Sequence, residues 1–290
     1  MSETSEGPGG TLSPSQHSRV KALVHLLGDD DTKICAVAWD HLASMGEAVL
    51  PFVRAASQQT EDHRVRVHAR RFLAEWERRV VFEQWVAFCR RDRLDLEEGA
   101  FLIMRSEYPQ TEIDPYRQTL ERYARGLGSR VRSSRTVGDA VSRLSHFLFA
   151  EEGFRGDVSS YYSADNSYLN RVLELKKGIP LSLAVLMLLV ARRLSIPIHG
   201  VNMPQHFLLK YREPAGEVFV DVFHGGKLLA ARDCARFLGE AGITFRDEHL
   251  RGVSDRVILQ RMLGNLLRVY LADEDERRSG RVAAMLKLLD

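Results

Sequence analysis

Cysteine is scarce in this chain: Cys35, Cys89 and Cys234 are the only three among 290 residues. They lie far apart and form no CxxC pair, which argues against a disulfide framework and against a structural zinc site. Neither sign of charge dominates. Lys and Arg total 41, Asp and Glu total 39, and the net charge is +2. Such a balance supplies no global attraction to nucleic acid or to an anionic membrane. Long apolar runs are also missing. The longest, Ile179–Ala191, is too short to span a bilayer and is interrupted by Ser182. The opening MSETSEGPGGTLSPSQ has neither a basic n-region nor an apolar h-region, so it does not read as a signal peptide. Together these absences lead us to expect a soluble cytoplasmic protein with no membrane partner and no specific nucleic-acid partner.

What is present is helical for the first half of the chain. Residues 1–12 are rich in Gly, Ser, Thr and Glu and read as disordered. Ser13-Pro14 then reads as an N-cap and a first-turn proline, with Gly28 as the stop. Two similar stretches follow, DDDTKICAVAWDHLASMGEAVLPFVRAA and TEDHRVRVHARRFLAEW, each an acidic turn leading into a helix with Val, Ala and Leu at helical spacing. The pair resembles HEAT repeats, with an ordinary helical bundle as the alternative. Helical patterning continues through residues 80–127, SRVRSSRT at 129–136 reads as a linker, and a new helix starts at Val137. The expected domain boundary is therefore near residue 136.

The second part changes character. GFRGDVSSYYSADNSYLN is punctuated like a loop. Pro180 opens PLSLAVLMLLVARRL, a helix that is apolar nearly all round and so belongs at the centre of a domain. Three β-like runs come next, PIHGVNM, HFLLKYRE and EVFVDVF, the last two joined by a Pro-Ala-Gly turn that signals a hairpin. A helix around Cys234 and a final helical pair end the chain. The expected fold class is α+β. An all-α HEAT-like region (13–136) leads to a core of one central helix on a small antiparallel sheet (137–250), with a C-terminal helical pair (251–290).

One His and one Asp in the β-like runs, His206 and Asp221, stand fifteen residues apart. With Tyr168-Leu169-Asn170, Lys177 to Leu183, Gly200-Val201-Asn202, Pro204, His206 to Leu209, Asp221 and Phe223-His224-Gly225-Gly226, they make a pattern over residues 80–265. That pattern resembles the SirB-type branch of the transglutaminase-like superfamily, which occurs in many bacteria and in one class of F-box proteins. The family pattern has a proline after the aspartate, where this chain has Val222.

The resemblance implies a papain-like core in which a thiol at the first turn of the central helix attacks a carbonyl. A histidine carries the proton and an aspartate orients the histidine. His206 and Asp221 match the last two members. The thiol is missing. Superfamily members keep roughly fifteen residues from the thiol to the turn after the helix, and counting back from Ser195 lands on Pro180. Ser182, the nearest hydroxyl, is two residues further on. On a helix of about 3.6 residues per turn it points roughly 200° away. Ser182 is thus either a nucleophile or a first-turn serine satisfying free backbone groups.

Further candidates for the same cleft are Asn202 and Gln205 as binding groups or oxyanion donors, and Asp165, Asn166 and Tyr168 at its rim. His199 and His224 could be pictured with His206 around a metal, but the spacing fits no established zinc pattern. We expect no metal and no cofactor. Cys234 reads as a packing thiol, and the run Arg122, Arg125, Arg130, Arg132 and Arg135 as a solvated face. The leading expectation is a non-catalytic binding or regulatory protein that uses the vestigial cleft for a protein or peptide ligand. The alternatives are a hydrolase or acyltransferase using Ser182 or a His206-activated water, and an inert-core scaffold that binds partners through its helical repeats.

Overall fold

The computed structural model describes residues 13–290, so the N-terminal stretch 1–12, read above as disordered, lies outside the described residues. Contacts divide the chain into two compact units, one ending at Val81 and one beginning at Phe82.

In the first unit Ser13 caps α1 (Pro14–Leu26) as its sequence implies. Its hydroxyl accepts from the Gln16 N–H while the Gln16 side chain accepts from the Ser13 N–H, a reciprocal capping box. Asp31 caps α2 (Thr32–Ser44) in the same manner through Lys33 N–H. A short turn then leads to α3 (Leu50–Gln59), and α4 (His63–Cys89) follows, its residues from Phe82 on belonging to the second unit. Val20, Leu27, Leu42, Val53 and Phe72 form the core, with Trp39 set edge-on to Phe72 at 4.9 Å. The two stretches that read alike fold differently. The first becomes α2, a turn and α3, whereas the second is the opening of the single long helix α4.

The second unit holds the rest. After α5 (Leu96–Glu107) and α6 (Asp114–Arg132) come α7 (Val137–Ser145), β1 (Arg155–Gly156), α8 (Leu169–Leu175), β2 (Lys177–Gly178) and α9 (Pro180–Arg193). A four-stranded antiparallel sheet in the order β3 (His199–Val201), β4 (Leu208–Glu213), β5 (Gly216–Asp221), β6 (Lys227–Leu229) follows. Helices α10 (Ala231–Glu240), α11 (Asp255–Ala272) and α12 (Glu276–Lys287) close the chain.

Helix α9 is the centre of this unit. Every residue from Pro180 to Ala191 is buried, and α9 packs against α5, α6, α7, α8, α11 and strands β3 and β4. Each of its leucines contributes about 1.5–3 kcal/mol by leaving water. On the sheet, Val201, Met203, Leu208 and Phe219 form a second cluster with Cys234 and Leu238 of α10. The fold is α+β, as the alternation of helical and strand-like periods implies.

Two expectations about organisation meet a different arrangement. The proposed linker 129–136 is helical as far as Arg132, because α6 buries Leu120, Tyr123, Ala124 and Leu127 on one face and that face carries the helix past Gly126 and Gly128. Since α6 packs on α9, residues 82–136 share a unit with the sheet, and the contact division falls at Val81 rather than near residue 136.

Candidate functional site

The start of α9 is built tightly. Ile179 is extended, Pro180 occupies the first helical position, and its missing N–H is one the helix would leave unpaired in any case. Gly178 precedes them in a short parallel bridge, Arg155 pairing Lys177 and Gly156 pairing Gly178. A Cβ on Gly178 would stand 2.5 Å from Ser182 Oγ, so the close approach of β2 to the helix start requires glycine.

Ser182 is buried and committed to the backbone. Its Oγ accepts from the Ile179 N–H at 3.1 Å and donates to the Asn166 carbonyl at 2.6 Å. The hydroxyl thus ties the loop before α8 to the first turn of α9 and satisfies a free helix N–H.

His206 and Asp221 are brought together by the β4–β5 hairpin. Leu209 pairs with Val220, so the residues just before β4 and at the end of β5 lie side by side. His206 sits in a tight turn whose preceding residue, Gln205, has a φ of 61°, and its N–H donates to the Met203 carbonyl. His206 Nε2 is 3.2 Å from Asp221 Oδ2. The sequence reading gave His224 no part in this pair. Its Nδ1 is 2.7 Å from the same carboxylate oxygen. Asp221 Oδ1 accepts from the Phe223 and His224 N–H groups, which folds the turn so that the His224 ring returns to the carboxylate. The turn residues Gly225 and Gly226, both at positive φ, were the available signal for that fold-back. Burial pulls the Asp221 carboxyl upward, but the hydrogen bonds and charges of His206, and then of His224, outweigh it and lower its pKa to about 2. Asp221 is therefore a carboxylate held between two imidazoles.

Two cavities open beside His206, and Asp221 lines the larger of them. One, of about 420 Å³, is lined by Pro180, His206, Asp221 and His224 together with Phe237 and Cys234 of α10. The other, of about 170 Å³, lies on the α11 side and includes Gln205, Arg261, Asn265 and Arg268 in its wall. Tyr161, Pro180 and His206 line both, so they form one cleft with its waist at Pro180 and His206.

The named candidates separate clearly. His206, Asp221 and Gln205 line these cavities; Ser182, Asn202, Asn166 and Tyr168 do not. Asn166 is buried, donates to the Ser160 carbonyl at 2.7 Å and receives Ser182, so it organises the loop. The Tyr168 hydroxyl is buried against that of Tyr270 at 2.7 Å. Asp165 accepts from Tyr108 and pairs with Arg171. Cys234 is in the wall, but burial pushes its thiol up to about 11, with the charges of Asp233 and Asp221 adding to the effect. His206, Asp221 and His224 offer donor atoms within 4.8 Å of one another, a spacing a divalent ion could bridge. His199 is not in that group; it lies on β3 opposite Lys210.

A helix start, a histidine and an aspartate converging from a hairpin onto one cleft is the arrangement the family pattern implies. A family model described as the Transglutaminase-like superfamily matches residues 114–264, more than half of the chain. The chain belongs to the transglutaminase-like superfamily. This transglutaminase-like chain is 35% identical over 205 residues to a UPF0162 protein of Xylella fastidiosa, covering 68% of itself and 73% of that protein. A UPF0162 protein of Vibrio cholerae is 28% identical over 190 residues, 63% of this chain and 69% of that one. F-box only protein 21 of Mus musculus is 33% identical over 151 residues, which is 49% of this chain and 23% of the mouse protein. No solved structure matches. Among the described residues no helix is long and apolar enough to cross a membrane.

Proposed function

We propose that this transglutaminase-like protein, of the SirB-type branch and cytoplasmic, binds a peptide-like or small ligand in its old active-site cleft and does not carry out thiol-based acyl transfer. One observation carries the reading: at the helix start that faces His206 the wall is Pro180, and the nearest hydroxyl, Ser182, is spent on the Asn166 carbonyl and the Ile179 N–H. A side chain with no nucleophilic atom cannot form an acyl intermediate. The cleft itself is open, and the His206–Asp221 pair that would orient a carbonyl-bearing ligand is retained.

A second reading has its own support. His206 turns Nε2 to Asp221, which leaves Nδ1 as the nitrogen that a ligand or a water would meet. A water polarised there would give slow hydrolysis of a bound ester or amide. A third reading keeps the core inert and assigns partner binding to the N-terminal helices, taken as HEAT-like.

The test uses the full chain. Saturation-transfer NMR with a neutral N-acetyl dipeptide amide reads cleft binding, and a fluorophosphonate probe together with an amine-incorporation assay reads chemistry. We expect saturation transfer in the wild type, its loss in His206→Trp (which crowds the waist between the two cavities), and neither labelling nor turnover. Labelling that disappears in Ser182→Ala, or turnover that disappears in His206→Gln, would overturn the non-catalytic reading. Saturation transfer unaffected by His206→Trp would overturn the cleft as the binding site and favour the helical surface.

A further inference from the structure

The smaller cavity carries a charge pattern that the cleft's remnant triad does not explain. Arg261, Asn265 and Arg268 follow one another on α11 at steps of four and three residues, the spacing that places side chains on one helix face. All three line the recess beside Pro180 and His206, with Gln205, Ser167 and Tyr162 completing its polar wall. No Asp or Glu lines it.

Elsewhere in this unit, half-buried arginines find acceptors. Arg193 pairs with Glu97, Arg171 with Asp165 and Glu174, and Arg281 with Glu107, while Arg105 donates to the Gln84 side-chain oxygen and Arg256 to the Leu289 carbonyl. Arg261 is different. It is half-buried, it makes no hydrogen bond or ion pair with the described residues, and its electrostatic neighbours are Arg268 and Tyr161. Burial depresses its pKa, and the positive charge of Arg268 depresses it further. A half-buried guanidinium with a second cation beside it and no counter-charge in the wall is unfavourable, and an anion entering the recess relieves it. A guanidinium fork matches the paired oxygens of a carboxylate or phosphate, and the amides of Asn265 and Gln205 add donors.

We propose that the Arg261–Asn265–Arg268 face of α11 is an oxyanion subsite that holds the carboxylate or phosphate group of the cleft's ligand. The inference rests on the cleft-binding reading above and makes it more specific. The anionic group sits on the α11 side of the waist, and the remainder of the ligand passes Pro180 and His206 into the larger cavity. There the wall carries both signs, with Asp221, Asp233 and Glu240 beside Lys227 and Arg236, and Arg236 paired to Asp233. A ligand with its negative end at Arg261 and a neutral body in the larger cavity fits both halves.

The experiment follows backbone amide shifts of the full-length protein during titration with three probes. These are an N-acetyl dipeptide with a free carboxylate, the same dipeptide as its amide, and inorganic phosphate. We expect the free carboxylate, inorganic phosphate or both to shift α11 resonances, and the amide to bind at least about tenfold more weakly than the preferred anion. Arg261→Gln should reduce anion affinity about tenfold or more. Arg268→Gln, a change at an exposed residue, should reduce it less, and it secures the result if the Arg261 variant proves unstable. Binding by phosphate but not by the carboxylate dipeptide identifies the source as a phosphate group, and the reverse identifies a carboxylate. Equal binding of carboxylate and amide, unaffected by either arginine substitution, sinks the subsite and leaves the cleft reading standing. No shift with any of the three sinks both.

Discussion

Pro180 and Ser182 stand two residues apart in the first turn of α9 and meet opposite surroundings. Pro180 is in the wall of the cleft that His206 lines, while Ser182 Oγ is 2.6 Å from the Asn166 carbonyl. A rotation of about 200° over two helical residues accounts for the difference. The position that can reach His206 is therefore filled by the one residue type with neither a side-chain nucleophile nor a backbone N–H. The hydroxyl beside it works for the fold.

Ser182→Ala should accordingly behave as a stability variant. It removes a buried acceptor for the Ile179 N–H and a donor to the Asn166 carbonyl, which keep only their long 3.4 Å bond to each other, so the loss should fall at the lower end of the about 1–3 kcal/mol that a fully unpaired buried group costs. Urea unfolding should show that loss, while ligand binding in the cleft stays within about twofold of wild type. A variant of unchanged stability that has lost a measured activity would show that the hydroxyl works in chemistry instead.

If Pro180 holds the position of the missing thiol, Pro180→Cys should restore a reactive one. A thiol at a helix N-terminus beside an imidazole has a lowered pKa. The native cysteines make a quiet background. Burial pushes Cys89 and Cys234 up to about 11, and Cys35, half-buried, is removed beforehand as Cys35→Ser. Iodoacetamide at pH 7 should then alkylate the introduced thiol faster than free cysteine, and His206→Gln in the same background should slow it about tenfold. A rate no faster than free cysteine and indifferent to His206 would place the old nucleophile elsewhere.

Much of this site was legible in the sequence because its signals are local. The all-apolar run after Pro180 dictates a central helix, the Pro-Ala-Gly turn dictates a hairpin, and the hairpin register brings His206 to Asp221. The family's spacing from thiol to turn put Pro180 at the critical position, and the helical repeat turned Ser182 away from it. What escaped depends on partners distant along the chain or on turn geometry. Asn166 and Tyr168 looked like cleft residues because they precede the helix, yet Asn166 is fixed by Ser182 and Ser160, and Tyr168 by Tyr270. Arg261, Asn265 and Arg268 drew no notice within the final helical pair, since nothing in α11 itself says that the turn before β4 and the Tyr161 loop close a recess over it. His224 was discounted because zinc spacing was the test applied to it, whereas its partner is the carboxylate three residues earlier.

The Tyr168–Tyr270 contact joins the segment before α8 to α11 through two buried hydroxyls 2.7 Å apart. Burial pushes both phenols up, well beyond reach of physiological pH. Tyr270→Phe keeps the ring and deletes one hydroxyl, leaving the other shielded from water without its partner at a cost of about 1–3 kcal/mol. Adding Tyr168→Phe should recover part of that loss, because replacing both partners by apolar groups removes the unpaired atom. A double variant less stable than the single would show that the hydroxyls serve something besides each other.

Asp221 makes a pH prediction with a definite sign. Its carboxyl titrates near 3.8 when unperturbed and near about 2 in the fold, despite burial, because His206 and His224 stabilise the ionised form. A depressed acid binds fewer protons folded than unfolded, so its contribution to stability is complete above about pH 5 and drains away as pH falls through 3.8 toward about 2. Asn at this position cannot ionise and so cannot make that contribution at any pH. Urea midpoints of the wild type and Asp221→Asn should therefore stand apart at about pH 5. The gap should narrow below about pH 4 and nearly close toward pH 2. A gap that persists unchanged at pH 2 would mean that Asp221 is held by packing or by neutral hydrogen bonds. In that case the two imidazoles would no longer explain why a carboxylate survives at the waist of the cleft.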